Sequence, residues 1–331
     1  MTLPLTMAIS DYAHTRDLVT GRVQPEGIDL NILSYPFEQV GLRFALGREF
    51  DISEYSLAGL CSHIANTPDP DFVGLPVFPS RVFRQSSFFV NTDSGINAIS
   101  DLRYKRVGLP QWSQTATVFA RGYLAHDAGL DLRDIDWVQA GVNSPGRKEG
   151  VTLSLPEGIN LTKRPDSCLS EMLATGEIDC AISARPPDSF LAGDGRVRRL
   201  FENPRKVEAD YFRRTGIFPI MHVMVVRADV YRANRWILRN LMDAFNEAKT
   251  RAFTRLRDIT TSFAPLGWGP DYFEETNRLL FAEGEPWPYG VNANAHVLNA
   301  FLRYCHEQGV TQRRLDASEL FPPECNFEVI V

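Results

Sequence analysis

The sequence predicts an α/β protein of two lobes, and three observations carry that prediction. Short apolar strand-like segments alternate with helix-spaced segments along the 331 residues, which implies layers of sheet and helix with parallel strands. Two such blocks follow one another, and the chain leaves the first near residue 92 and returns near 218. The composition is that of an ordinary globular chain, 44% hydrophobic and 23% charged, with length enough for a core in each lobe. The expected lobes are residues 1–92 plus 218–331 and residues 93–217. Each is expected to be a mixed sheet flanked by helices, with hinge crossings near 92 and 218 and a ligand cleft between the lobes.

Residues 5–9 read as a first strand and 29–33 as a second, after a turn at Pro25-Glu26-Gly27. Residues 38–48 have helical spacing. A short strand at 50–52 leads into Glu54-Tyr55-Ser56 and a helix, and 72–77 and 87–90 are further strands. The second block starts at Asn91, with a capped turn at 99–102, a strand at 106–109 and a helix over 113–128. Strands follow at 136–140, 158–161 and 179–183, with a helix at 169–175 before the last. The chain returns through 216–222 into a buried strand at 223–227. From 235 onward the pattern is mostly helical, and 236–256 is the longest element. Ligands in open α/β sheets sit beyond the carboxyl ends of strands. That rule selects 11–16, 54–56, 78–84, 112–117, 183–185 and 216–222 as cleft-lining segments.

The net charge of -6 argues against a nucleic-acid groove. No apolar run reaches the roughly 18 residues of a membrane-spanning helix. The N-terminus lacks a basic start, a sustained apolar stretch and a small-residue cleavage site, so a cytoplasmic location is expected. Five scattered cysteines, with no C-x-x-C, fit reduced thiols. Cys180 lies in an apolar run and reads as core, with a catalytic thiol as the alternative. Only five of the 35 basic residues are lysine (Lys105, Lys148, Lys163, Lys206 and Lys249). The arginine excess is either a GC-rich genome or a use for planar carboxylate clamps.

Arg81 and Arg84, three apart and flanked by aromatics, form either a fork for carboxylates or two solvated surface charges. Ser113, Gln114 and Thr115 stand at a helix start. There the backbone N–H groups bind an anion, or Ser113 or Thr115 simply caps the helix. His14 and His222 both fall in cleft-lining segments, where each is a proton carrier or a structural partner. With Glu54 or Asp11 they are also candidate ligands of a divalent metal, although none of the six histidines has metal-motif spacing. Glu54 is either an acid with a raised pKa or the partner of an arginine. Arg147 and Arg185 sit in loops, within reach of an anionic ligand or as ordinary surface charges. The aromatic turn at 287–290, with Tyr289, either walls the cleft or packs a lobe. Dinucleotide, P-loop and nucleophile-elbow motifs are absent.

These segments resemble the 4,5-dihydroxyphthalate decarboxylase family along the whole chain. The specific strings are Phe-Pro-Ile-Met-His at 218–222 and Trp-Pro-Tyr-Gly at 287–290. Around them are Phe50-Asp51 with Glu54 and Ser56, Ser80-Arg81-Val82-Phe83-Arg84, Thr115-Ala116, Pro145-Gly146-Arg147, Ala184-Arg185 and His306-Glu307-Gln308-Gly309. Two positions depart from the family pattern: His14 stands where an arginine is usual, and Gln85 where a histidine is usual. The resemblance implies a type 2 periplasmic-binding-protein-like fold and a homo-oligomer. It implies non-oxidative decarboxylation of a hydroxylated aromatic dicarboxylate to protocatechuate, with no redox cofactor because no electrons leave. In that scheme Arg81 and Arg84 hold carboxylate, aided by Thr115. His222 or His14 donates the proton, and Glu54 orients or polarises a partner. Ser56, Arg147, Arg185 and Tyr289 complete the expected substrate-binding set. Two other readings use the same cleft: a solute-binding protein for an anionic aromatic ligand, and a decarboxylase of another hydroxylated aromatic acid.

Overall fold

A computed structural model describes residues 2–282 and 284–325. Among them, strands β1 (Leu3–Ile9), β2 (Ile28–Ser34), β3 (Ile52–Ser56) and β4 (Phe72–Arg81) belong to a first sheet. Strands β5 (Phe88–Asn91), β6 (Arg106–Leu109), β7 (Asp136–Gly141), β8 (Leu161–Cys168), β9 (Cys180–Ile182) and β10 (Val197–Arg199) form a second. The last strand, β11 (Ile220–Arg227), returns to the first sheet. The orders are β2-β1-β3-β11-β4 and β10-β5-β9-β6-β7-β8.

The strand that follows each passage between sheets enters antiparallel to its neighbours. β11 lies antiparallel between β3 and β4, and β5 antiparallel between β9 and β10. The remaining pairs, β1 with β2 and β3, β6 with β7 and β9, and β7 with β8, are parallel. The chain leaves the first sheet between Arg81 and Phe88 and returns between Arg199 and Ile220. The first passage thus precedes the expected residue 92, because β5 pairs with β9 and is already a strand of the second sheet.

Several boundaries shift in a way that matters for the site. The strand expected at 50–52 runs Ile52–Ser56, so Glu54 and Ser56 lie within it and not beyond its end. Likewise β4 extends to Arg81, and β11 starts early enough to contain His222. The strand expected at 158–161 is β8 at Leu161–Cys168, an edge strand with little apolar patterning. The helix expected over 113–128 spans Thr115–His126.

β4 contains Pro76 and Pro79. Proline cannot donate to a ladder and is tolerated at sheet edges and bulges. β4 is such an edge, and its register against β11 slips on both sides of His222, so that Ser80 comes opposite His222 and Arg81 opposite Ile220. The carbonyls freed by the slip are used elsewhere. Pro76 O accepts from Gly290 N at 2.8 Å, and Phe78 O accepts from Trp287 Nε1 at 2.8 Å, so the aromatic turn docks on the bulge.

The helix Ala295–Glu307 packs on Thr115–His126, with Phe119 and Phe301 stacked at 4.5 Å. Fully buried Arg121 donates to Gln308 Oε1 and Trp112 O and lies 3.8 Å over the Trp112 ring. This segment, expected to belong with the first lobe, is therefore also fastened to the second sheet's helix. All five cysteines are free and buried, and burial pushes the Cys180 thiol far up, as befits core and not a nucleophile. No helix among the described residues is long and apolar enough to cross a membrane.

Candidate active site

The site is built around a carboxylate that cannot reach water. Glu54 on β3 is completely buried, and a buried charge persists only when it is paired and hydrogen-bonded. Its Oε2 accepts from Ser10 N at 2.8 Å, just beyond the end of β1. Its Oε1 accepts from the Tyr12 hydroxyl at 2.6 Å and from His222 Nδ1, on β11, at 2.6 Å. Burial alone would raise the Glu54 pKa. The His222 bond and charge, with Tyr12 and Ser10, outweigh it and hold the carboxyl below the usual range. The raised-pKa acid expected as one alternative is therefore not what Glu54 is. Tyr12 is pushed up by burial and by the adjacent Glu54 charge, so it stays a protonated donor.

This arrangement fixes the histidine. With Nδ1–H directed at Glu54, the other ring nitrogen, Nε2, is the one placed to carry and exchange a proton. Phe37 stacks on the imidazole, with centroids 3.5 Å apart and planes 13° from parallel.

A second group of residues is cationic and aromatic. Arg81 is buried; its Nη2 donates to Pro288 O at 2.8 Å and to Asn294 Oδ1, while its Nε has no partner. Phe78, Phe218 and Trp287 surround its guanidinium at 5.4–5.9 Å from their centroids. Burial lowers its pKa to about 9, so it is still charged at neutral pH, yet no carboxylate among the described residues pairs with it. His14 lies between Tyr12 and Trp287, at 5.4 and 5.3 Å, and its Nε2 is a buried atom without a partner. Burial, then the charges of Lys249 and Arg81, push His14 down to about 4 against the opposing pull of the Pro79 carbonyl and Glu54. It is a neutral imidazole at pH 7. The buried Tyr289 hydroxyl is likewise without a partner.

The other expected residues are placed as follows. Arg84 is buried, donates through Nε to Met221 Sδ at 3.1 Å, and is pushed down to about 10 by burial despite the nearby Glu208 charge. The two guanidiniums of the expected fork thus have separate partners. Ser56 and Thr115 bond each other through their hydroxyls at 2.9 Å. Ser56 also caps the helix Leu57–Asn66 by accepting from Gly59 N, and Thr115 accepts from Ala58 N. Arg147 is exposed and donates to Gln111; Arg185 is exposed and pairs with Glu38 at 2.5 Å. The backbone N–H groups expected to be free near Ser113 are partly taken. Glu149 accepts from Trp112 N at 2.8 Å and from Ser113 N at 3.3 Å. Gln114, and neither Ser113 nor Thr115, is the N-cap.

No cluster of three or more His, Cys, Asp and Glu able to hold a metal occurs among the described residues. Of the donors named for a divalent metal, Asp11 is exposed and Glu54 is engaged by three hydrogen-bond donors.

Sequence reasoning missed Tyr12 and Lys249. Tyr12 lay in a selected cleft segment but carries no motif of its own. Lys249 had a readable signal: it is one of five lysines and falls in the apolar stripe of the helix Ile237–Arg257, beside Phe245, Ala248 and Ala252.

Two mixed α/β sheets, crossed twice by the chain, with buried polar groups gathered along β3, β4 and β11, define the class: a type 2 periplasmic-binding-protein-like fold. The crystal structure of the periplasmic aliphatic sulphonate binding protein SsuA from Escherichia coli aligns with 97% of this chain and 98% of its own, at a TM-score of 0.55 and 14% identity. The desulfurization enzyme DSZB aligns over 97% of both chains, at a TM-score of 0.53 and 16% identity. Identities this low speak to the fold alone. No family model matches the chain. Among curated proteins, 4,5-dihydroxyphthalate decarboxylase of Comamonas testosteroni is 38% identical over 322 residues, 97% of each chain. The protein of the same name from Pseudomonas putida is 36% identical over 212 residues, 64% of this chain and 82% of its own. The chain belongs to the 4,5-dihydroxyphthalate decarboxylase family.

Proposed function

We propose that the protein is a carboxy-lyase that converts 4,5-dihydroxyphthalate to protocatechuate and carbon dioxide in aromatic catabolism. The family supports the substrate, and the observation that carries the site assignment is buried Glu54 bonded to half-buried His222 on β11, with buried, carboxylate-free Arg81 on the adjoining strand β4.

The chemistry follows from the substrate. Each carboxylate is para to a hydroxyl. The hydroxyl passes its proton to water, which later returns it, and the oxyanion pushes electrons onto the carbon that bears the carboxylate. That carbon takes a proton from His222 Nε2, while the Glu54 bond to Nδ1 fixes the ring. The bond to the carboxylate then breaks, its electron pair returns to the ring, carbon dioxide leaves, and the hydroxyl regains a proton. Arg81 holds the carboxylate that stays. A cation on the departing carboxylate would resist its loss as a neutral molecule. No electrons leave, so no redox cofactor enters this scheme. In the same reading the protein acts in the cytoplasm as a homo-oligomer of two-lobed subunits. Cell fractionation and light scattering test those two points.

The test is ultraviolet and carbon dioxide assay of purified protein with 4,5-dihydroxyphthalate, before and after chelation, for wild type, Arg81→Ala and His222→Ala. Both variants should lose at least tenfold in kcat/KM. If both stay within about threefold, or about 0.65 kcal/mol of transition-state stabilisation, the residue assignment is wrong. A thermal shift with ligand but no turnover would instead indicate a binding protein.

A further inference from the structure

Lys249 is the one charged residue on the buried face of the helix Ile237–Arg257, and it is 1% exposed. Its ammonium has three donors. One bonds Glu285 Oε1 at 2.6 Å and one Trp287 O at 3.2 Å. Glu285 is 59% exposed, so this carboxylate is largely spent on water. The ammonium also lies 4.3 Å from the centroid of the Tyr289 ring, whose buried hydroxyl is unpartnered. Arg81 acts electrostatically on both Lys249 and Tyr289, and Lys249 acts on His14. Two buried cations that repel each other, with orphaned polar atoms on Arg81, Tyr289 and His14 around them, make an arrangement that an anion completes.

We propose that Lys249 is a specificity-determining residue that joins Arg81 in a two-cation pole for the retained carboxylate, with the Tyr289 hydroxyl as an added donor. This rests on the decarboxylase reading. Carboxylate is the better match than the ring hydroxyls, because a neutral hydroxyl offsets neither charge. It also follows that product, which keeps that carboxylate, is held by the same pole.

The test separates the two ends of the substrate by calorimetry on wild type, Lys249→Met and Glu285→Gln. Phthalate, with two carboxylates and no hydroxyls, is one probe; catechol, with two hydroxyls and no carboxylates, is the other. Lys249→Met should weaken phthalate at least tenfold, leave catechol within about twofold, and raise KM for 4,5-dihydroxyphthalate with kcat within about threefold. Glu285→Gln, at an exposed position that carries little risk to folding, should tighten phthalate about threefold by releasing the ammonium. Unchanged phthalate binding in Lys249→Met overturns the proposal, as does parallel loss of phthalate and catechol. If Lys249→Met fails to fold, unchanged or weaker phthalate binding in Glu285→Gln overturns it. Wild type that binds phthalate yet never turns over the substrate would sink the decarboxylase reading, while the Lys249 result would still stand or fall on phthalate.

Discussion

Glu54 decides what His222 does. An ionised, fully buried carboxylate on Nδ1 leaves Nε2 as the exchangeable position. Glu54→Gln keeps the shape and removes the charge, so kcat should fall by about 10²–10⁴, with Tm falling by only a few degrees. A fall in Tm without a fall in kcat would reduce Glu54 to a structural role. His14 gives a prediction of a different kind. Its folded pKa, about 4, lies below the ordinary histidine value of 6.5. The unfolded chain therefore binds more protons between those values, and stability is lost as pH falls from about 6.5 towards 4. The charges of Lys249 and Arg81 deepen that loss, while Glu54 and the Pro79 carbonyl oppose it. Denaturant titrations at pH 7 and pH 5 should show a smaller difference for His14→Gln than for wild type; equal differences would contradict the pKa assignment. His14 and Glu54 were both visible in the sequence as candidates. Their states were not, because each is set by partners far away in the chain, such as Lys249 for one and His222 for the other.

Among the elements, β4 shows how a local rule places a site. Its two prolines break the ladder beside His222, and the freed carbonyls hold the aromatic turn whose Pro288 carbonyl accepts from Arg81. Trp287 sits in that turn at φ 52°, a left-handed conformation that costs a bulky residue about 1–3 kcal/mol. Its ring bond to Phe78 O and its contacts with His14 and Phe218 hold it there. A second tight contact lies between helices. A Cβ on Gly122 would come 2.4 Å from the Tyr304 ring, so Gly122→Ala should cost about 1–3 kcal/mol and lower Tm by several degrees. Calorimetry of Gly122→Ala alone checks this, and an unchanged Tm would mean the two helices are not in contact. Alternating apolar segments made most elements readable, and 106–109 coincides with β6. The misses have physical reasons. β8 and β10 are edge strands whose order comes from a single neighbour, so they carry little apolar pattern. The helix Pro204–Thr215 buries only Ala209 and Tyr211, although Asn203, Pro204 and Gly216 marked its ends.

For the whole molecule, the contacts that bridge the sheets were not legible from the pattern of strands. The Glu38–Arg185 pair links the helix Phe37–Gly47, which carries Phe37 onto His222, to the segment after β9. Both partners are exposed, so Arg185→Ala should cost no more than about 1 kcal/mol of stability. KM should rise by no more than about fivefold, and the difference from wild type should fade at high salt. A loss of kcat beyond tenfold in that variant would show that the pair does more than fasten the two sheets.

In the proposed reaction His222, set by Glu54, delivers a proton to the carbon that loses its carboxylate. Turnover of 4,5-dihydroxyphthalate in deuterium oxide, followed by proton NMR for wild type and His222→Gln, tests it most directly. Wild type should give protocatechuate with deuterium at the vacated ring position, and the variant should turn over at least a hundredfold more slowly. Unconsumed substrate with wild type, or equal rates for the two proteins, would contradict it.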